Sequence, residues 1–232
     1  MRNYRRYTRR HIKRFDLSIT LWLIIINVVF FIFGFFLIII NQNYINLIAL
    51  KPSNILQGKY FWTLITSMFM HAGIFHLLIN MFVLFSLGSL TEKIIGRQRF
   101  LWFYIFSGLF AGLSFVILAG FFGNSQLGNA LFGNPETFAV GASGAIFAIA
   151  GLFIVLLPKI RFSIIFFPFF SLPGYIMVPL VLGLTWLASI FGNLPIGNSA
   201  HLGGFLMGLI YGFYLRRKYK NKVKALERMF EY

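Results

Sequence analysis

The stretch Leu17–Ile40 decides the fold class of this chain. Its sequence is LSITLWLIIINVVFFIFGFFLIII, without one charged side chain. A helix needs about 20 predominantly apolar residues to cross the hydrocarbon core of a bilayer, so this run predicts a membrane-spanning helix. It is too long for the apolar core of a cleaved signal peptide and lacks a convincing small-residue cleavage site, which favours a retained first span.

The composition extends this expectation to the whole chain. Of its 232 residues, 59% are hydrophobic and only 11% are charged, and the mean hydropathy is +0.80. A soluble domain could not cover its core with so few charges. We therefore predict an all-α, polytopic membrane protein, in which residues 17–215 form one membrane domain between a basic segment at 1–16 and a basic tail at 216–232.

Further apolar runs of sufficient length follow the first one. We predict six spans, near Leu17–Ile40, Ile74–Leu90, Phe100–Phe122, Val140–Leu157, Tyr175–Phe191 and Ala200–Leu215. The segment Phe162–Gly174, before the fifth span, is apolar but contains Pro168 and Pro173. Because proline has a fixed φ and lacks an amide hydrogen, we expect an irregular interfacial loop there.

Lysine and arginine are distributed unequally between the two sides of the six-span arrangement. Nineteen of the 21 fall on one side: seven in 1–16, three after the second span, two after the fourth and seven in the tail. The positive-inside rule then places both termini in the cytoplasm and turns three loops outward, Asn41–Gly73, Gly123–Ala139 and Gly192–Ser199. The net charge of +16 is attributed to this topology and to contact with anionic lipid headgroups at the cytoplasmic face, not to nucleic-acid binding.

The ionisable residues exclude several reaction classes. The chain has no cysteine, which excludes thiolate catalysis and Cys-ligated metals. It has no His-Glu-x-x-His string for zinc, and its one aspartate, Asp16, cannot form a paired-carboxylate site. Glu92 lies at the end of its span and Glu136 in a loop. A proton-coupled transporter usually has an acid at membrane depth, which neither residue provides. Serine chemistry with a histidine base remains, without metal or cofactor.

The first candidate site is Gly141-Ala-Ser143-Gly144, at the start of the fourth span. A serine between small residues at a helix N-terminus presents an accessible hydroxyl, and its backbone N–H lies where partial positive charge favours an oxyanion. The alternative interpretation is a packing face, since Gly144, Ala148 and Gly151 recur at near-helical spacing.

The second candidate is Ala200-His201-Leu-Gly-Gly204, at the start of the sixth span. Gly204, Gly208 and Gly212 recur every fourth residue and form a smooth face for close helix packing. His201 lies on this face. If the face packs on the small residues of the fourth span, His201 meets Ser143 at a similar depth and can act as its base.

The third candidate lies on the second span, where His76 and Asn80 are four residues apart. Their N–H groups, together with the backbone N–H of Ser143, are suitable donors for an oxyanion. The alternative is interhelical hydrogen bonding that stabilises the bundle. His71, at the boundary between loop and helix, is interpreted as structural.

Together these strings resemble the rhomboid family of intramembrane serine proteases, and in particular its bacterial six-helix type. The matching motifs are Gly141-x-Ser143-Gly144, His76-x-x-x-Asn80, Ala200-His201-x-x-Gly204-x-x-x-Gly208, and Glu92-x-x-x-Gly96-x-x-Arg99-Phe100. They occur in the family's order and cover nearly the whole chain.

The resemblance implies roles for these residues. Ser143 would be the nucleophile and His201 the general base, with Asn80, His76 and the Ser143 backbone N–H binding the oxyanion. Substrates would be single-span membrane proteins, cut near the outer membrane face, and the protein would reside in a bacterial plasma membrane.

Two positions depart from the family pattern. Trp62-Thr63 stands where many members have Trp-Arg, and Phe147 stands where many bacterial members have a tyrosine. Two other classes stay open: a catalytically inactive rhomboid-like scaffold that binds membrane proteins, and a small transporter with polar residues along a pore.

Overall fold

The computed structural model describes residues 17–164, 167–192, 194 and 196–230. The predicted basic segment at 1–16 lies outside the described residues. The helices are α1 (Ile19–Ile40), α2 (Ile45–Ile48), α3 (Pro52–Leu56), α4 (Thr63–Thr66), α5 (Ile74–Val83), α6 (Ser89–Ile95), α7 (Arg97–Phe122), α8 (Gln126–Phe132), α9 (Ser143–Leu156), α10 (Gly174–Gly192), α11 (Asn198–Lys218) and α12 (Lys220–Met229). A 3₁₀ turn at Gln42–Tyr44 precedes α2, a π-helical stretch at Leu84–Gly88 joins α5 to α6, and strands β1 (Arg161–Ile164) and β2 (Phe167–Pro173) separate α9 from α10.

Four helices of the described chain are long and apolar enough to cross a membrane. They are α1, the continuous run Ile74–Ile95, α7 and α10. Helix α9 is apolar but has only 14 residues, and α11 has 21 residues with three basic residues in its last turn. The chain is therefore an all-α polytopic membrane protein, whereas the number of six crossings remains a prediction.

One end of the bundle gathers the loops that were predicted to share a side of the membrane. Leu50 and Ala139 exchange two backbone hydrogen bonds, with N···O distances of 3.0 and 2.7 Å. The Ser199 hydroxyl at the start of α11 donates to the Phe132 carbonyl at the end of α8, at 2.8 Å. We call this end, where α9 and α11 begin, the site end.

The opposite end contains the start of α1 and the join between α6 and α7. The Ser18 hydroxyl caps α1 by accepting the Leu21 N–H at 3.2 Å. The buried carboxylate of Glu92 accepts the N–H groups of Ile19 and Thr20, both at 2.9 Å, and the Thr20 hydroxyl at 2.8 Å. A carboxylate at a helix N-terminus satisfies donors that lack a partner within the helix and complements the helix dipole. Glu92 thus fixes α1 to α6.

The glycines of α11 pack directly against the backbone of α9. A Cβ atom on Gly204 would lie 1.9 Å from the Gly144 carbonyl oxygen, and one on Gly208 would lie 2.0 Å from the Ala148 carbonyl oxygen. Farther along, a Cβ on Gly212 would lie 2.8 Å from the Val155 side chain. The glycine face of α11 therefore packs on α9 at Gly144 and Ala148, which is the condition under which His201 was expected to meet Ser143.

The irregular loop predicted at Phe162–Gly174 is wrong, because this segment forms an antiparallel hairpin. Arg161 pairs with Pro173 and Ser163 with Ser171, and a register irregularity follows. Pairing satisfies backbone groups that would otherwise lack partners near the membrane. The prolines do not prevent it, because both strands of a two-stranded sheet have a free edge, where proline is tolerated.

The basic tail completes α11 and continues as α12, which packs on the bundle. Val223 is buried, and Glu227 Oε1 lies 2.9 Å from Arg216 Nη2. The same arginine donates through Nη1 to the Val155 carbonyl at 2.6 Å, at the end of α9. The described part of the tail, 216–230, is therefore a packed helical extension of α11.

Candidate active site

Ser143 and His201 meet at the site end of the bundle. Ser143 begins α9, and His201 lies in the first turn of α11. The Ser143 Oγ is 2.8 Å from His201 Nε2, and the imidazole is buried. The contact between Gly204 and the Gly144 carbonyl one turn deeper sets the helix separation that makes this distance possible.

The His201 ring is held by packing as well as by the serine. Phe147, one turn after Ser143, lies with its ring centroid 4.5 Å from that of His201 and with an interplanar angle of 31°. The His201 Nδ1 has no hydrogen-bond partner among the described residues. When Nε2 accepts a hydrogen bond from the Ser143 hydroxyl, the neutral imidazole carries its own hydrogen on Nδ1. The phenyl ring thus orients the imidazole without a carboxylate.

The space over the Cα atom of Gly141 lies between His76 of α5 and the Ser143 hydroxyl, and we call this space the gap. A Cβ on Gly141 would lie 3.0 Å from His76 Nε2 and 3.7 Å from Ser143 Oγ, so the absence of a side chain there keeps the gap open. The φ of Gly141 is +127°, a region that favours glycine. The His76 Nδ1 accepts the Ala72 N–H in a long contact of 3.5 Å, which favours the tautomer with its hydrogen on Nε2. His76 can therefore donate toward the gap.

Asn80 lies one turn farther along α5 and is buried. Its Nδ2 donates to the His76 backbone carbonyl at 2.9 Å. This bond uses one of the two amide hydrogens and leaves the other for a second acceptor. The structure thus places Asn80 one helical turn from His76. Its hydrogen bond among the described residues is made within α5.

His71 approaches His76 from the loop before α5. The two ring centroids are 5.1 Å apart in an edge-to-face arrangement. The five-residue spacing does not put both on one helix face, and the contact arises because the loop folds back. Among the described residues no group of three His, Asp or Glu side chains is arranged to hold a metal ion.

Of the two departures from the family pattern, Phe147 packs on His201, and Thr63 lies beside Trp62 at the end of a loop with defined contacts. The Trp62 Nε1, in the loop before α4, donates to the Leu47 carbonyl of α2 at 2.9 Å. The Thr63 hydroxyl donates to the Tyr60 carbonyl at 2.7 Å and is buried. Both side chains therefore stabilise this loop. The role of Gly141 in keeping the gap open was missed by the sequence analysis, which considered it only as a neighbour of Ser143.

This geometry defines a helical, multi-pass membrane protein with a serine–histidine pair between two closely packed helices. Residues 58–218 match the family described as Rhomboid domain, and the chain belongs to the rhomboid family. Members of this family are in general intramembrane serine proteases.

Three relatives illustrate the similarity. The human presenilin-associated rhomboid-like protein, mitochondrial, is 30% identical over 151 residues, which are 65% of this chain and 37% of the relative. RHOMBOID-like protein 6, mitochondrial, of Arabidopsis thaliana is 34% identical over 168 residues, which are 72% of this chain and 48% of the relative. Rhomboid protein 1, mitochondrial, of Saccharomyces cerevisiae is 30% identical over 159 residues, which are 67% of this chain and 42% of the relative. The chain spans less than half the length of these relatives.

Proposed function

We propose that this chain is an intramembrane serine endopeptidase that cleaves transmembrane proteins with a Ser143–His201 dyad. The observation that carries the proposal is the 2.8 Å distance between Ser143 Oγ and His201 Nε2. A nucleophile within hydrogen-bond reach of its base is the arrangement that nucleophilic catalysis requires. Phe147 keeps the imidazole in line with the hydroxyl.

The reaction proceeds in two half-steps. The Ser143 Oγ attacks the scissile carbonyl carbon while His201 Nε2 takes its proton, and the protonated His201 then gives this proton to the leaving amine nitrogen. The acyl-enzyme remains. Water next attacks the ester carbon as His201 accepts its proton, and return of that proton to Ser143 Oγ releases the carboxyl product. No metal or cofactor is needed for this balance.

Three donors suit the oxyanion that forms on the carbonyl oxygen. They are the Nε2–H of His76, the Ser143 backbone N–H at the start of α9, and the second amide hydrogen of Asn80. The gap over Gly141, flanked by His76 Nε2 and Ser143 Oγ, supports the assignment of the first. Preorganised donors of this kind are worth most where water is scarce.

The position of the dyad along the helices supports the proposed substrate. Ser143 and His201 lie in first turns at the site end, so a substrate would be cut near one membrane surface. With six spans and both termini in the cytoplasm, as the basic residues imply, that surface would be the outer membrane face, and the resemblance to bacterial members would make the membrane a bacterial plasma membrane. The substrates would be single-span membrane proteins.

Labelling with a fluorophosphonate tests the proposal. Purified wild-type protein should react with the probe and cleave a model single-span substrate, whereas Ser143→Ala should do neither. Ser86→Ala is a suitable control, since the exposed Ser86 hydroxyl only donates to the Phe82 carbonyl within its own helix. A folded wild-type protein that neither reacts nor cleaves would favour the inactive scaffold.

A further inference from the structure

A groove on the lipid-facing side of the bundle lies far from the dyad, at the end opposite the site end. It has a volume of about 320 Å³ and runs between α7 and α11. Arg99, in the first turn of α7, lines its mouth, and Trp102, Phe106 and Met207 line its walls. Phe106 follows Arg99 by seven residues, so the groove descends about 10 Å into the bundle at 1.5 Å per residue. Its wall therefore changes from charged to apolar with depth.

Arg99, which lines the groove, shares the ring of Tyr219 with two lysines, Lys218 and Lys222. The guanidinium of Arg99 lies 5.5 Å from the ring centroid of Tyr219. The Lys218 Nζ lies 5.7 Å from the same centroid and donates to the Tyr214 hydroxyl at 2.7 Å. The Lys222 Nζ lies 5.8 Å from that centroid as well. Like charges gathered around one ring repel each other, so an anion bound beside them relieves the repulsion.

The carboxylates of the described residues are engaged elsewhere. The ion pairs of that part of the chain join Lys51 to Glu136, Arg97 to Glu92 and Arg216 to Glu227. Among the described residues no carboxylate therefore lies within ion-pair distance of Arg99 or Lys218. Within the described residues, then, no ion pair neutralises the charge at the mouth of the groove.

We propose that this groove binds an anionic phospholipid from the adjacent leaflet. The phosphate would lie at Arg99, on the side of the Tyr219 lysines, and an acyl chain would descend along Trp102, Phe106 and Met207. Trp102 and Phe106 are 53% and 54% exposed, so the groove is open from the lipid side. Basic pockets between helices at a membrane surface bind lipid headgroups in this way. The site uses no residue of the dyad and goes beyond the proposed protease function.

Native mass spectrometry of the delipidated, detergent-purified protein tests this proposal. The probes are phosphatidylglycerol, phosphatidylcholine with the same acyl chains, and free glycerol phosphate. The wild type should retain one phosphatidylglycerol and bind phosphatidylcholine much more weakly. Arg99→Gln/Lys218→Gln should bind phosphatidylglycerol about 30-fold more weakly, the loss expected for two basic side chains near a headgroup. Glycerol phosphate should not compete, because it lacks the chain that fills the groove.

Matched variants separate a site from diffuse surface charge. Lys93→Gln/Lys224→Gln removes two exposed cations outside the groove and should leave lipid retention unchanged. Arg99→Lys/Lys218→Arg keeps both charges and should retain binding within a few fold, which controls for folding. Equal binding of the two lipids by the wild type, equal loss in the Lys93/Lys224 variant, or full competition by glycerol phosphate would each overturn the proposal. The Ser143→Ala protein should retain phosphatidylglycerol as the wild type does. A failure of the protease assignment would therefore leave the lipid-binding result unchanged.

Discussion

Gly204 of α11 lies directly against the carbonyl oxygen of Gly144 in α9, so closely that a Cβ atom would be 1.9 Å from that oxygen. Gly144 follows Ser143, and Gly204 lies three residues after His201. The contact therefore controls both the packing of the two central helices and the distance between the serine and the histidine.

Replacing Gly204 by alanine should separate α9 from α11. The added methyl group meets backbone, which cannot rotate away, so we expect a loss of about 1–3 kcal/mol in stability and a large loss of cleavage in the protein that remains folded. Gly183→Ala on α10 is the matched control, since nothing lies within 4 Å of a Cβ there. Thermal unfolding in detergent checks this, and equal melting temperatures for the two variants would contradict the packing argument.

Glu92→Ala should destabilise the junction between α1 and α6. The change removes the acceptor of the Ile19 and Thr20 N–H groups, and a buried donor without a partner costs about 1–3 kcal/mol. Glu136→Gln is a suitable control, because its carboxylate pairs with Lys51 at an exposed site and exposed pairs contribute little. Unfolding curves of both variants measure the difference. A Glu92→Ala protein as stable as Glu136→Gln would show that the cap is dispensable.

His76→Ala and Asn80→Ala separate an oxyanion role from a structural one. If the two side chains donate hydrogen bonds to the transition state, removing either should slow cleavage by about 10²–10³-fold. Ser143 should still react detectably with a fluorophosphonate. As interhelical hydrogen bonds, they would contribute about 1–2 kcal/mol of stability each and leave the turnover of folded protein near normal. Melting temperature and turnover are measured on the same samples. Normal turnover with a lowered melting temperature would remove both residues from the catalytic site.

The topology is tested by reporter fusions. Both termini should be reported in the cytoplasm and the segment 123–139 outside, because nineteen of the 21 Lys and Arg residues lie on one side of the six-span arrangement. A C-terminus reported outside would contradict the even number of spans.

Features set by local pattern were predictable from the sequence. The glycines at 204, 208 and 212 recur at helical spacing, and a smooth helix face requires a close partner. Ser143 and His201 stood out because polar side chains are rare in apolar helices. The structure brings these two residues together as the glycine pattern implied.

Features that depend on distant parts of the chain were not predictable. The cap of α1 by Glu92 joins residues 72 and 73 positions apart, and no local pattern indicates it. The hairpin of β1 and β2 was missed because prolines were interpreted as breaks, although they are tolerated on free strand edges. The gap beside Gly141 depends on the approach of His76 from another helix.

The central claim is that Ser143 and His201 act as one catalytic unit, and a double-mutant comparison tests it most directly. Cleavage of a purified single-span substrate is measured for Ser143→Ala, His201→Ala, the double variant and the Ser86→Ala control. Each single change should abolish detectable cleavage, and combining them should cost little more, because residues that act as a unit are strongly non-additive. Ser86→Ala should cleave normally. Substantial turnover by folded Ser143→Ala protein would contradict the account.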